Sequence, residues 1–270
     1  MARRGGDHPQ DQVVRALLAA LGTFTVLPAP HTEIDRDGAG RMMAALPWVG
    51  LVVGGLAALV VWLTGLTGAG WLPAVLGVAA LAVLTGALHL DGVADTADGL
   101  GSRRPAVEAL AVMRRSDIGP MGVVTVLFVL LLDVAALASL AGSSQWAAPS
   151  ALAAAAMVGR LGVVHASGGT AARSGGFGAL FTGVTSPAAA VTNTVAVLLV
   201  SAAAGLLADG WRGAAVFAGS AVAALAAAWL WHRHLDRRLG GMTGDTFGSL
   251  VELGQAVFLV LTALAAAIPR

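Results

Sequence analysis

The chain has 270 residues, of which 57% are hydrophobic and only 11% charged. A soluble domain carries about 25% charged residues, so the apolar surplus exceeds what one soluble core of this size holds. A net charge of +1 gives no support to nucleic-acid binding. With no cysteine, a disulfide framework, a thiolate zinc site and a cysteine nucleophile are excluded.

In chain order, the first element is an amphipathic stretch at Val13–Leu27, too short to span and ended by Pro28; it reads as an interfacial helix. Arg3, Arg4 and Arg15 precede its apolar part, but no small-residue cleavage site follows. Seven apolar runs then approach the roughly 20 residues a membrane helix needs. They are Met43–Leu66, Leu72–Leu90, Pro120–Leu140, Ala147–Ser167, Val191–Leu207, Ala214–Trp231 and Leu250–Ile268. Open sheet edges cannot lie in lipid, so the expected fold is an all-α, polytopic helical bundle. The 36 glycines suit close helix contact. No linker divides the chain, and residues 1–270 read as one membrane domain.

The arginines gather in segments 1–42, 91–119, 168–190 and 232–249, whereas the alternate segments carry only Arg212 and Arg270. The positive-inside rule then predicts an N-in, C-out protein of the cell membrane with its chemistry facing the cytoplasm.

The stretch His89-Leu90-Asp91-Gly92-Val93-Ala94-Asp95-Thr96-Ala97-Asp98-Gly99 carries three carboxylates at i, i+4 and i+7. On a helix they share an arc of roughly 60°, with small residues between them. Such a cluster is costly at the end of a span unless a cation compensates it. Oxygen donors without thiolates favour Mg²⁺ first and Mn²⁺ second. Asp91, Asp95, Asp98 and Asp245 are the candidate metal ligands. A carboxylate-bound metal there suggests phosphoryl-transfer chemistry. His89 is a candidate base or ligand. Asp245 and Glu252 lie seven apart in the segment Thr243-Gly244-Asp245-Thr246-Phe247-Gly248-Ser249-Leu250-Val251-Glu252, with Thr243 beside them. They are candidates to complete the site or to act as a base. Arg114 and Arg115 in the loop 103–119, and Arg173 in the Gly-rich segment 165–183, are candidates to bind substrate phosphates, and Ser116, Asp117 and Thr243 are candidates to contact the substrate. Asp133 and Arg160 fall inside spans; a carboxylate there is a functional hypothesis by default, but Arg160 is a possible ion-pair partner for it and Asp133 is not placed in the site.

Four stretches carry a family resemblance: Phe24-Thr25-Val26-Leu27-Pro28-Ala29-Pro30; Gly86 through Gly99; Met113-Arg114-Arg115-Ser116-Asp117-Ile118-Gly119; and Gly240 through Gly254, with its T-G-D-T-x-G-x-x-x-E-L pattern. In that order they resemble the cobalamin synthase (adenosylcobinamide-GDP ribazoletransferase) family. The resemblance implies a membrane transferase that joins adenosylcobinamide-GDP to α-ribazole or its 5′-phosphate with release of GMP, using Mg²⁺. Its partners would be those small molecules and the bilayer, with a homo-oligomer left open. In the third stretch the family's acid and base are exchanged: Arg115 stands where an Asp is expected and Asp117 where an Arg is expected. Two other readings compete: a CDP-alcohol phosphotransferase, whose longer aspartate pattern is missing here, and a transporter, which would show inverted repeats.

Overall fold

The computed structural model describes residues 9–30 and 34–269; Arg3, Arg4 and Arg270 lie outside them. The helices are α1 (Pro9–Phe24), α2 (Arg36–Gly65), α3 (Leu72–Leu84), α4 (Leu88–Gly101), α5 (Ala106–Val112), α6 (Pro120–Ala141), α7 (Ala147–Ala166), α8 (Phe177–Leu180), α9 (Pro187–Leu239) and α10 (Gly244–Ala266). Among the described residues, α2, α6, α7, α9 and α10 are long and apolar enough to cross a membrane, and a sixth crossing results if α3 and α4 form one bent span. The protein is a multi-pass, all-helical membrane protein.

The center of the bundle is α7, buried almost throughout and packed on α2, α9 and α10. Small residues make these approaches possible. Gly54 of α2 faces Ala153 and Ala156 of α7, and Gly254 of α10 faces Gly159 of α7. By contrast α6 turns Leu127, Phe128 and Leu131 outward, and α9 turns out Val195 and Leu199. Such faces suit lipid rather than water.

Helix α9 is 53 residues long and breaks at Asp209 and Gly210, whose dihedrals are not helical. The backbones of Gly205 and Gly213 touch, with no room for a Cβ on either. Eight residues apart on a straight helix they would be separated by about 12 Å. The chain therefore doubles back at the break, and the runs expected at Val191–Leu207 and Ala214–Trp231 fall on its two legs.

The second expected span, Leu72–Leu90, is not continuous. Helix α3 stops at Leu84 after 13 residues, about 20 Å of helix against a hydrocarbon core of about 30 Å. Gly86 and Ala87 both take left-handed backbone conformations, at φ 58° and 57°, and α4 leaves at 88° to α3. Left-handed geometry is unfavourable for alanine, and the apolar run through Leu90 carries no sign of it. Two further boundaries move. The expected loop 103–119 contains the short helix α5, and α10 starts six residues earlier than the apolar run, at Gly244. Its start is a capping box: the Thr243 hydroxyl accepts from the Thr246 N–H at 3.2 Å, and the Thr246 hydroxyl accepts from the Thr243 N–H at 2.7 Å. The interfacial helix ends at Phe24 rather than at Pro28, and packs along α2.

Candidate active site

Because α3 stops short, α4 runs across the bundle and meets the first turns of α10. Two glycines let the backbones touch. A Cβ on Gly92 would stand 2.5 Å from the Asp245 carbonyl oxygen, and one on Gly248 would stand 3.1 Å from that of His89. This crossing brings the acidic face of α4 to Asp245. Asp95 lies within electrostatic reach of Asp91, Asp98 and Asp245.

The four carboxylates differ in what they touch. Both oxygens of Asp98 are engaged by the start of α6, accepting from the backbone N–H of Gly119 at 2.6 Å and of Gly122 at 2.9 Å. A carboxylate there satisfies free amide groups and complements the helix dipole. Gly119 and Gly122 leave the room for it, since a Cβ on either would strike the carboxylate. Asp245 accepts from the Thr243 hydroxyl at 3.3 Å and stands 3.7 Å from the Arg173 guanidinium. Asp91 and Asp95 have neither a hydrogen-bond donor nor a cation at their carboxylates among the described residues.

Two chambers meet at this crossing. The first, about 200 Å³, is mainly apolar. Its walls include Phe24, Met43, Leu46, Phe181 and Phe247, and its polar groups are His89, Asp91, Arg160 and Asp245. The second, about 190 Å³, is lined by Arg114, Arg173, Thr243 and the glycine-rich backbone at Gly175, Gly176 and Gly178. The two share Phe177, Gly244 and Asp245. The loop between α7 and α9 is held over the start of α10. Met242 N–H donates to Thr170 O at 2.9 Å, and Ala172 N–H donates to Met242 O at 3.0 Å. Gly178 backs directly onto the Thr243 Cα, where a Cβ would stand at 2.7 Å.

Beneath the first chamber lies a buried polar cluster. His89 Nδ1 is 3.9 Å from Glu252. Gln255 donates to Asp133 at 2.9 Å, and Arg160 donates to the Ala156 carbonyl at 2.7 Å. All five side chains line one small cavity.

The structure thus brings Asp91, Asp245, Thr243, Arg173 and Arg114 around the two chambers, with Asp95 within electrostatic reach of Asp91 and Asp245. It does not bring Glu252 to the carboxylates. Seven residues along α10 is about 10 Å, which seats Glu252 against His89 instead. Arg115, Ser116 and Asp117 are exposed and line neither chamber, and no ion pair joins Arg115 to Asp117 among the described residues. Asp133 takes Gln255 as its hydrogen-bond partner, while Arg160 reaches the first chamber. The sequence signal for Arg160 was available, since a charge inside a span is a functional hypothesis by default. The aromatic wall of Phe24, Phe177 and Phe181 had no such signal, because phenylalanines in apolar runs read as core.

Among the described residues no three His, Asp or Glu side chains close on a common point. The donor chemistry nonetheless suits a hard cation. Asp91 and Asp95 offer uncompensated oxygens within electrostatic reach of Asp245, and the chain has no thiolate to compete.

Comparison with known proteins agrees with these motifs. The family model described as cobalamin-5-phosphate synthase matches residues 16–263. A Frankia casuarinae protein named adenosylcobinamide-GDP ribazoletransferase is 40% identical over 264 residues, covering 91% of this chain and 93% of its own length. Klebsiella pneumoniae proteins of the same name are 36% and 35% identical over 253 residues, covering 92% of this chain and 99% of theirs. No solved structure matches.

Proposed function

Because the chain belongs to the cobalamin-5-phosphate synthase family, we propose that it joins adenosylcobinamide-GDP to α-ribazole, or to α-ribazole 5′-phosphate, with release of GMP. It is then a transferase of a substituted phosphate group. A ribazole hydroxyl oxygen attacks the phosphorus that bears the cobinamide side chain. The bond from that phosphorus to the GMP oxygen breaks, and the product is adenosylcobalamin or its 5′-phosphate. The observation that carries this reading is the meeting of unpaired carboxylates with an arginine-lined chamber at the α4–α10 crossing.

Asp91, Asp95 and Asp245 would hold Mg²⁺, with Mn²⁺ as a substitute. When bound, the metal neutralises phosphate oxygens and the charge that develops on the leaving phosphate. Arg114 and Arg173 bind the diphosphate from the second chamber, and the backbone N–H groups of Gly175 and Gly176 are available to the same oxygens. Thr243 and Arg173 hold the Asp245 carboxylate in place. His89 accepts the hydroxyl proton from the first chamber, and Glu252 steadies the resulting imidazolium. Asp98 acts as a positioning residue, locking α4 to the start of α6.

The mouth of the site faces the cytoplasm in this reading. Arg36 donates to the Thr182 carbonyl at 3.1 Å and Arg238 to that of Arg104. These bonds place the start of α2, the α7–α9 loop, the α4–α5 loop and the end of α9 at one end of the bundle. Arg41, Arg103, Arg114, Arg115, Arg173, Arg233 and Arg237 belong to the same segments, as the positive-inside rule requires of a cytoplasmic end.

Purified protein supplied with adenosylcobinamide-GDP, α-ribazole and Mg²⁺ tests the proposal. Equal amounts of cobalamin and GMP are expected, and absence of both rejects it.

A further inference from the structure

The two chambers differ in chemistry, and a displacement at phosphorus needs the attacking and leaving oxygens roughly in line. The nucleophile must then arrive from one side of the carboxylates and GMP depart on the other. The two chambers share Phe177, Gly244 and Asp245 among the described residues, so Asp245 borders both. The arginines line the second chamber alone, apart from the deeply buried Arg160 in the first. The diphosphate and its leaving nucleotide therefore belong to the second.

That leaves the first chamber for the acceptor. Three phenylalanine rings form its wall: Phe24 and Phe177 have centroids 5.9 Å apart, Phe24 and Phe181 5.7 Å, and Phe177 and Phe181 4.7 Å. Phe181 is fully buried, whereas Phe177 and Leu88 are 49% and 43% exposed and stand at the opening. Aromatic and aliphatic walls with few polar groups suit a planar base that carries no hydrogen-bond donors. Guanine has donor and acceptor edges that must be satisfied when buried. The first chamber's charged and titratable side chains are His89, Asp91, Arg160 and Asp245.

Resting on the function proposed above, we infer that the first chamber is the acceptor subsite. The apolar aromatic base of α-ribazole packs against Phe24, Phe177 and Phe181, and its ribose hydroxyls reach towards His89 and Asp91. Guanine of the donor lies outside this chamber, on the arginine side.

The test uses the full chain in detergent, with two variants. Phe181→Leu removes an aromatic wall, and Leu88→Trp fills the opening at a position well away from the buried core. Stacking of a base on an aromatic ring is worth a factor of about 5 to 150. For each variant, KM for α-ribazole should rise about tenfold, and KM for adenosylcobinamide-GDP should stay within about twofold. Equilibrium dialysis should show the same loss of α-ribazole binding, with binding of GDP retained. A rise in KM for adenosylcobinamide-GDP instead, a loss of GDP binding, or no change in either substrate with Leu88→Trp overturns the assignment. Failure of the functional reading looks different, because the unmodified protein would then form no cobalamin whatever the dialysis shows.

Discussion

Two groups of charged residues lie within a few turns of each other, and the protein treats them in opposite ways. The deep cluster of His89, Asp133, Arg160, Glu252 and Gln255 supplies its own counter-charge. Arg160 sits with two carboxylates, and Gln255 bonds one of them. The cluster at the α4–α10 crossing does not. Asp95 lies within electrostatic reach of Asp91, Asp98 and Asp245, and among the described residues only Asp245 of these has an arginine beside it. Uncompensated like charge is costly in a low-dielectric setting. Where the fold leaves that cost standing, a cation from outside is the natural answer. Where it cancels the cost internally, the charges hold helices together.

The largest test of this contrast is Asp95→Asn. Turnover should fall by more than about 1,000-fold, roughly 4 kcal/mol of transition-state stabilisation, while thermal stability in detergent stays level or rises as repulsion is relieved. Retained turnover would remove Asp95 from the site. In the deep cluster, Arg160→Leu should behave the other way. Removing one partner of a buried charge group costs about 3–5 kcal/mol, visible as a lower melting temperature. Adding Glu252→Gln should recover part of that loss, and a purely additive double variant would show that the two groups do not interact.

The crossing itself comes next. Gly92→Ala places a Cβ against the Asp245 carbonyl. Overpacking of this kind costs about 1–3 kcal/mol and should move the carboxylates apart, so the Mg²⁺ concentration giving half-maximal rate should rise. An unchanged Mg²⁺ dependence would mean that the close approach does not set the donor geometry. The smallest effect belongs to Asp98→Asn. An amide still accepts one bond from the α6 amides, so the loss should be about 1 kcal/mol of stability, with turnover lowered less than tenfold. Abolished turnover at full stability would return Asp98 to the metal ligands.

The acidic residues of the site were legible in the sequence because spacing on one helix is a local property. Asp91 and Asp95 share a face of α4 whatever the rest of the chain does. The surroundings of Asp98 and Glu252 were not legible in the same way. Their i+7 spacings describe one helix and carry no information about which other helix end or side chain lies opposite. Asp98 meets the start of α6, 21 residues onward, at Gly119. Glu252 meets His89 from a helix far along the chain. The third motif shows the same limit: Arg115 reads as a phosphate contact by charge, yet of the motif's charged residues Arg114 alone lines a chamber.

By itself the sequence determined the class of molecule, the helical character of every span, the one-sided arginines and the acidic motifs that mark the family. Each rests on run length or spacing within one helix or loop. Only the tertiary structure decided where α3 stops and how α4 turns across the bundle to meet α10. It alone gathered Phe24, Phe177 and Phe181 into a wall. These depend on backbone conformation at Gly86 and Ala87 and on glycine-to-backbone contacts between distant segments, and hydrophobic periodicity has no term for either.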